Sequence, residues 1–315
     1  MTIAPPKPPP TARPPRAAPS RGRAGRDRRL GYLLVAPVVI GLLAVTAYPL
    51  IYNTWNSFHF VNLSFAGLPR RFVGLANYKK MFTSPEWRAA LERTLGFTVV
   101  TVVADIVLAL VLALMLHRKF AGRGFLRAAV LVPWAVPTVV SATLWKTMFD
   151  PRAGFVDYLL GYLHSPWSSI TWVNASTWKS WLVILIADSW KNIPFVALIL
   201  LAGLQVIPSE IYEAARIDGA SAWQSFRRMT LPLLKPALVV AAIFRTLQAF
   251  FVFDVIYILT GGGPGTSTET LTFLNYQTFI NNTDFGYGGA ISVLLVIMAL
   301  LIAGGYVRLL RPETA

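Results

Sequence analysis

Six ionisable side chains fall inside long apolar stretches of this sequence, where a charge is costly unless it faces a polar cavity or a partner. They are Asp105, Lys146, Asp188, Lys191, Arg245 and Asp254. Asp188 opens a polar and aromatic segment that ends at Asn192, and Gln248 and Asp254 flank a run rich in phenylalanine. Carboxylates and amides beside aromatic rings can hydrogen-bond hydroxyl groups and contact C–H faces. These two segments are therefore candidate binding sites.

Each of these charges also has a structural interpretation. Asp188 and Lys191 are spaced i, i+3 and could neutralise one another on a single helix. Arg245 could extend to the membrane surface or pair across a subunit interface, and Lys146 lies near a membrane boundary, where its stem can reach outward. Asp105 is isolated among apolar residues, so pairing with a partner subunit is as good an interpretation as a functional role.

The residue types argue against a catalytic centre or a metal centre. There is no Cys, and His59, His117 and His164 are scattered at the ends of apolar stretches or in loops. The HExxH, GxSxG and G-x4-G-K-[ST] patterns are absent. An intramembrane enzyme, such as a lipid-modifying transferase, would need acids, bases or metal ligands clustered at one depth. We therefore expect no catalytic residue and no metal or cofactor bound by this chain.

The composition indicates which structural elements must position these residues. Of 315 residues, 55% are hydrophobic and only 14% charged, and the mean hydropathy is +0.55. Six apolar stretches are long enough to cross a bilayer, and helices satisfy the backbone there. They cover approximately residues 30–52, 95–116, 125–148, 181–204, 236–259 and 290–310. The sequence thus predicts an all-α membrane protein with six transmembrane helices, in which Pro133, Pro137 and Pro194 kink their spans.

The distribution of positive charge predicts an orientation. Residues 1–29 are rich in Pro and Arg and are predicted to be a disordered tail, because few apolar residues offset the entropy of ordering them. The following apolar run is too long for a signal peptide, so we expect it to be a retained span. One set of loops and ends carries 18 of the 29 Lys and Arg residues and the other carries 7. The positive-inside rule then places both termini in the cytoplasm, and the net charge of +15 needs no nucleic-acid partner.

The longest loop on the basic side, residues 208–232, carries strong helix-boundary signals. Ser209 is a candidate N-cap for a short helix with Glu210 and Glu213 near its start. Gly219 suits a left-handed stop, and Ser221 with Gln224 three residues later forms a capping-box pattern for a second helix. From these signals alone the loop is either a connector lying on the lipid surface or an element that docks on another protein.

The spacing within this loop is specific. It contains Glu213-Ala214-Ala215, three residues, Gly219, nine residues, and then Met229-Thr230-Leu231-Pro232. This resembles the EAA loop of bacterial ABC-importer permeases, EAA-x3-G-x9-I-x-L-P, with Met229 in place of Ile. We call residues 208–232 the EAA loop. Residues 72–78 (FVGLANY) and 259–264 (LTGGGP) resemble loop elements of the carbohydrate-uptake, MalF-like branch, and the resemblance covers about residues 30–311.

The resemblance implies the fold of type I ABC importers and a role without catalysis by this chain. The EAA loop would form a coupling helix that docks on a separate ATPase subunit, which carries the ATP and Mg²⁺. The implied partners are a second, homologous permease, an ATPase dimer and an extracytoplasmic sugar-binding protein, in a bacterial plasma membrane. The implied coupling residues are Glu213, Ala214, Ala215, Asp218, Gly219, Leu231 and Pro232.

The resemblance also implies where a substrate would bind. Sugar contacts of MalF-like permeases come from the fourth and fifth spans. Asp188, Asn192 and Phe195 match such positions in the fourth span; Gln248 and Asp254 are the candidates in the fifth, where the Asn residues of the family pattern are replaced. A neutral mono- to oligosaccharide is expected, because few span residues are cations that could converge on a phosphate. The alternatives are a glycerol-3-phosphate-type importer and a stand-alone secondary transporter, although no internal repeat is evident.

Overall fold

The computed structural model of the protein describes residues 21–64, 69–167 and 170–310. Helices dominate these residues, with one short antiparallel hairpin between β1 (His59–Phe60) and β2 (Arg71–Phe72). The helices are α1 Arg21–Ser57, α2 Ala76–Thr83, α3 Pro85–His117, α4 Arg123–Val130, α5 Val132–Ala135, α6 Thr138–Met148, α7 Phe155–Tyr162, α8 Thr177–Val206, α9 Ser209–Ile217, α10 Ala222–Ser225, α11 Leu231–Phe250, α12 Asp254–Leu259, α13 Leu271–Tyr276 and α14 Phe285–Leu310. Two π-helical turns, Phe226–Thr230 and Gln277–Asn281, complete the set.

Within the described ranges, five helices are long and apolar enough to cross a membrane. They correspond to the predicted first, second, fourth, fifth and sixth spans. The predicted third span is a pair of helical segments, Arg123–Ala135 and Thr138–Met148, which meet at an angle of 88°. The all-α, six-span prediction is confirmed in this form, with one span broken.

Three predicted boundaries need correction. The first helix begins at Arg21, so residues 21–29 of the predicted disordered tail are helical, and the five Arg among them are good helix formers. The rest of that tail lies outside the described residues. The fifth span ends at Phe250 instead of Leu259, and the chain turns before α12 begins at Asp254. The third span is interrupted at Pro137 because proline lacks the amide hydrogen that would continue the helix.

The chain divides into two compact units, one ending at Tyr52 and one beginning at Asn53. In the second unit, α3, α8 and α11 surround the buried core, with α6, α12 and α14 packed against it. Small residues allow close approach: a Cβ built on Gly203 of α8 would lie 2.4 Å from the Cβ of Ala237 on α11. Small residues at helix contacts are characteristic of membrane bundles, where packing replaces the hydrophobic effect.

The FVGLANY segment anchors the hairpin. The buried side-chain amide of Asn77 donates to the backbone oxygens of Ser57 at 2.8 Å and His59 at 3.0 Å. Tyr78 shares a 2.7 Å hydrogen bond with the hydroxyl of Ser57. This sequence element therefore has a structural role in the second unit: its hydrogen bonds join α2 to the part of α1 that follows Asn53.

Candidate functional site

A polar cavity of about 230 Å³ opens between the broken third span, α8, α11 and the start of α12. Its lining combines carboxylates, amides, cations and aromatic rings. The lining residues are Trp134, Thr138, Asp188, Lys191, Asn192, Arg245, Gln248, Phe251, Val252, Phe253, Asp254 and Val255. Four predicted ligands, Asp188, Asn192, Gln248 and Asp254, are thus brought together at one place.

A buried ion triad holds the three helices behind this cavity. Arg245 on α11 is fully buried, and its Nε donates to Oδ2 of Asp105 on α3 at 2.5 Å. Its Nη2 donates to Oδ2 of Asp188 on α8. Buried charges of this kind persist when they are paired, because losing one partner leaves an uncompensated charge in a region of low dielectric constant. The triad therefore fixes α3, α8 and α11 to one another.

The triad corrects three structural interpretations. Arg245 neither reaches the membrane surface nor pairs outside the chain, because both of its acidic partners are internal. Asp105 likewise pairs within the chain, not with a partner subunit. Within the described residues, two buried atoms of the triad have no hydrogen-bond partner: Nη1 of Arg245 and Oδ1 of Asp105.

Asp188 and Lys191 have separate partners, so the proposed neutralisation between them is not what the structure shows. Asp188 pairs with Arg245 and accepts a 3.1 Å hydrogen bond from Nδ2 of Asn192. The ammonium of Lys191 donates to the backbone oxygens of Trp134 at 3.2 Å and Val136 at 2.5 Å. Each charge is thus used to hold one wall of the cavity.

Phe195 does not line the cavity. Its ring stacks on the indole of Trp134, with ring centroids 4.9 Å apart and planes inclined by 10°. Phe195, which was predicted as a ligand, therefore packs against Trp134, and Trp134 lines the cavity. The prediction missed Trp134 and Thr138 because they belong to the third span; the only local signal was that Pro133 and Pro137 bracket Trp134.

The break after α11 gives the cavity its fifth-span residues. The helix ends at Phe250, and α12 starts at Asp254, so both Gln248 and Asp254 reach the cavity. Gln248 and Asp254 are six positions apart, so a continuous helix would place them about 120° apart around its axis, since each residue advances about 100°. The break between α11 and α12 allows both side chains to line the same cavity.

The EAA loop forms a second candidate site. Gly219 has a φ of +74°, as the predicted left-handed stop requires. The predicted capping box is present: Gln224 N donates to Ser221 Oγ at 3.3 Å, and Ser221 N donates to Gln224 Oε1 at 2.8 Å. Ser209 is not the N-cap, because Pro208 occupies that position and Ser209 is already helical.

The exposed face of the EAA loop combines charge with apolar side chains. Glu213, Asp218 and Gly219 are exposed, whereas Ala215 is completely buried. Ile217 is 88% exposed and Trp223 67% exposed, so the loop also presents apolar side chains to its surroundings. Leu231 and Pro232 begin α11, so the loop continues through the π-helical turn directly into the helix that carries Arg245. The loop has the features of a protein-docking surface.

Comparison with known proteins agrees with this geometry. Residues 105–314 match the family of binding-protein-dependent transport system inner membrane components. The chain is 41% identical over 287 residues to the trehalose/maltose transport system permease protein MalF of Thermococcus litoralis, covering 91% of this chain and 95% of the relative. It is 40% identical over 283 residues to the trehalose transport system permease protein SugA of Mycobacterium tuberculosis, covering 90% and 89% of the two chains.

Two further likenesses bear on substrate and fold. The sn-glycerol-3-phosphate transport system permease protein UgpA of Agrobacterium fabrum is 33% identical, over 91% of this chain and 96% of the relative. A bacterial alginate ABC transporter, solved in complex with its alginate pentasaccharide-bound periplasmic protein, has a chain of the same fold. That match has a TM-score of 0.76 at 20% identity and covers 91% of this chain and 95% of the other. The protein belongs to the family of binding-protein-dependent transport system inner membrane components.

Proposed function

We propose that this chain is the permease subunit of an ATP-driven importer that carries a neutral mono- to oligosaccharide across the plasma membrane. The polar cavity carries the proposal. Asp188, Asn192, Gln248 and Asp254 supply hydrogen-bonding groups for hydroxyls, and aromatic rings beside them supply surfaces for C–H faces. The two relatives with the higher identities are named for transport of trehalose or maltose, both neutral disaccharides.

The charges of the cavity favour a neutral sugar over a phosphorylated one. In the described residues, the cavity is lined by two cations: Arg245, which is paired with two carboxylates, and Lys191, which donates two of its three hydrogens to backbone oxygens. Asp254 adds a further negative charge to the lining. A phosphate requires convergent, uncommitted cations. The glycerol-3-phosphate alternative, which the Agrobacterium relative keeps open, therefore has less support.

The chain would act with other subunits. The family description names a binding protein, and the alginate transporter was solved with its periplasmic one. The sequence contains no phosphate loop, so we assign ATP and Mg²⁺ to a separate ATPase dimer, and a second permease would complete the translocation path. A stand-alone secondary transporter is disfavoured by membership of this family.

The EAA loop would couple ATP hydrolysis to transport. Its exposed Glu213 and Asp218 suit a cationic partner, and Ile217 and Trp223 provide apolar area at the same surface. The positive-inside bias supports a cytoplasmic location for this loop and both termini, on the side where an ATPase would be. Closure of the ATPase dimer would move the loop and, through α11, the wall of the polar cavity, as rigid elements move in transporters.

The proposal is tested by reconstituting the permease with its partner subunits and binding protein in proteoliposomes. We expect ATP-dependent uptake of radiolabelled trehalose or maltose, and calorimetric binding of the same sugar to the binding protein. Glycerol-3-phosphate is measured in parallel. Uptake of glycerol-3-phosphate without sugar uptake would overturn the neutral-sugar assignment, and uptake of sugar without ATP would overturn the ABC-importer assignment.

A further inference from the structure

The broken third span leaves backbone oxygens without helical partners at the edge of the polar cavity. Helix α5 ends at Ala135, and Val136 and Pro137 adopt extended conformations with ψ of 133° and 140° before α6 begins. Pro137 has no amide hydrogen to donate to a preceding turn. Carbonyl groups released in this way inside a membrane need another donor.

Lys191 supplies that donor from a different helix. Its Nζ donates to the oxygens of Trp134 and Val136, one on each side of the end of α5. A cation at the C-terminal end of a helical turn is also favoured by the orientation of the peptide dipoles. Lys191 thus fixes the backbone of Trp134 relative to α8, which carries Asp188 and Asn192.

The indole of Trp134 is fixed by a second contact. One face is covered by Phe195, which also meets Phe244 of α11 in an edge-to-face contact at 6.3 Å. Trp134 nevertheless lines the polar cavity and is 42% exposed. A ring with one face covered and its remaining surface on a polar cavity is suited to stack on the C–H face of a pyranose.

We propose that Trp134 is a sugar-stacking, specificity-determining residue and that Lys191 is its positioning residue. The inference rests on the proposed function and extends it, since it assigns the broken third span to the substrate site beside the fourth and fifth spans. The binding groups divide by type: the carboxylates and amides of α8, α11 and α12 would bind hydroxyls, and the ring on α5 would stack on the apolar face of the sugar. Lys191 acts through the backbone of Trp134, because it donates two of its three ammonium hydrogens to the oxygens of Trp134 and Val136.

The first test measures KM for ATP-dependent uptake of radiolabelled trehalose and maltose by the complete complex in proteoliposomes. Trp134→Leu should raise KM about tenfold with little change in kcat, since stacking is lost while packing on Phe195 is partly kept. Trp134→Tyr should restore most of the affinity. Trp190→Leu is the matched control. Trp190 lies on α8 and is 39% exposed, but it does not line the cavity, so the KM of this variant should be unchanged.

The second test separates positioning from a general loss of structure. Lys191→Met should raise KM about as much as Trp134→Leu, with little change in kcat, in a complex that still assembles. The double variant should be little worse than Trp134→Leu alone, because both changes remove the same contact. Lys191→Arg, which keeps a cation with N–H donors for the two backbone oxygens, should recover part of the affinity.

The outcomes distinguish the inference from the proposed function. A wild-type complex that takes up no sugar overturns both. A wild-type complex with normal uptake, together with an unchanged KM in Trp134→Leu, overturns the inference and leaves the proposed function intact. Equal KM increases in Trp134→Leu and Trp190→Leu would also overturn it, because they would indicate a nonspecific effect on the bundle. If Trp134→Leu fails to assemble, Trp134→Met serves as the second non-aromatic variant and is judged by the same KM criterion.

Discussion

The EAA loop presents exposed side chains on short helices, whereas the polar cavity is enclosed by long helices joined through buried charges. The loop is organised by contacts between residues a few positions apart, such as the capping box of Ser221 and Gln224. The cavity depends on Arg245, which joins residues 140 and 57 positions away. The effect of a change in the capping box should therefore stay local, while a single change in the triad should disturb the whole cavity.

The largest expected effect comes from breaking the triad. Arg245→Met removes the shared cation and leaves two buried carboxylates without a counter-charge, which should cost about 3–5 kcal/mol of stability. We expect loss of assembled complex, measured by thermal unfolding in detergent and by yield of the purified assembly. In the triple variant Asp105→Asn, Asp188→Asn, Arg245→Met, stability should recover substantially because no net charge stays buried. Full stability of Arg245→Met alone would contradict the role given to the triad.

A smaller effect on stability, with a large effect on transport, is expected in the EAA loop. Gly219→Val places a β-branched residue at positive φ, with a folding cost of about 1–2 kcal/mol. No atom would obstruct the added Cβ within 4 Å, so the chain should still fold, but a contacting ATPase surface would meet the new side chain. ATP-dependent uptake should fall at least about tenfold.

Gly122 offers the control for this prediction. Its φ is +81° and its added Cβ would also meet nothing within 4 Å, so Gly122→Val carries a similar backbone cost outside the EAA loop. Uptake by Gly122→Val should remain close to the wild-type value. Equal loss of uptake in the two variants would show that backbone strain, and not docking, explains the effect of Gly219→Val.

The smallest effect is expected at the capping box. Ser221→Ala removes the acceptor for Gln224 N and should destabilise α10 by about 1 kcal/mol. Hydrogen exchange should show faster exchange in residues 222–225 and no change around the cavity. Ser209→Ala is the control, because Ser209 makes no capping bond. Faster exchange that spread to the cavity would contradict the independence of the two regions.

The same difference explains how far the sequence alone predicts this protein. The stop at Gly219 and the capping box follow from rules that act over three or four residues, and both are confirmed. The incorrect N-cap at Ser209 is a shift of one position, since Pro208 also fits an extended cap conformation. The helices themselves follow from apolar length, although hydropathy cannot detect the end of α11, where no proline or glycine marks the break at residues 251–253.

The cavity is predicted only in part. Apolar context singled out all three members of the triad as unusual charges, but one sequence contains no information on which helices lie side by side, so their pairing was not predictable. Phe195 was placed at the substrate because it matches a family position in the fourth span, whereas in the structure it stacks on Trp134, which lines the cavity instead. Pro137 predicted a kink, but the 88° angle depends on packing and on the hydrogen bonds from Lys191.

The π-helical turn at Phe226–Thr230 runs without interruption into α11, so the rotation of α11 about its axis depends on the number of residues that precede Arg245 in it. One residue added between this turn and Arg245 would rotate everything after it by about 100° about the helix axis. The guanidinium of Arg245 would then no longer point at both carboxylates, even though no residue near it had changed. A π-helical turn holds one residue more than an α-helical turn, so a deletion inside it should restore α-helical geometry and disturb Arg245 less than an insertion after it.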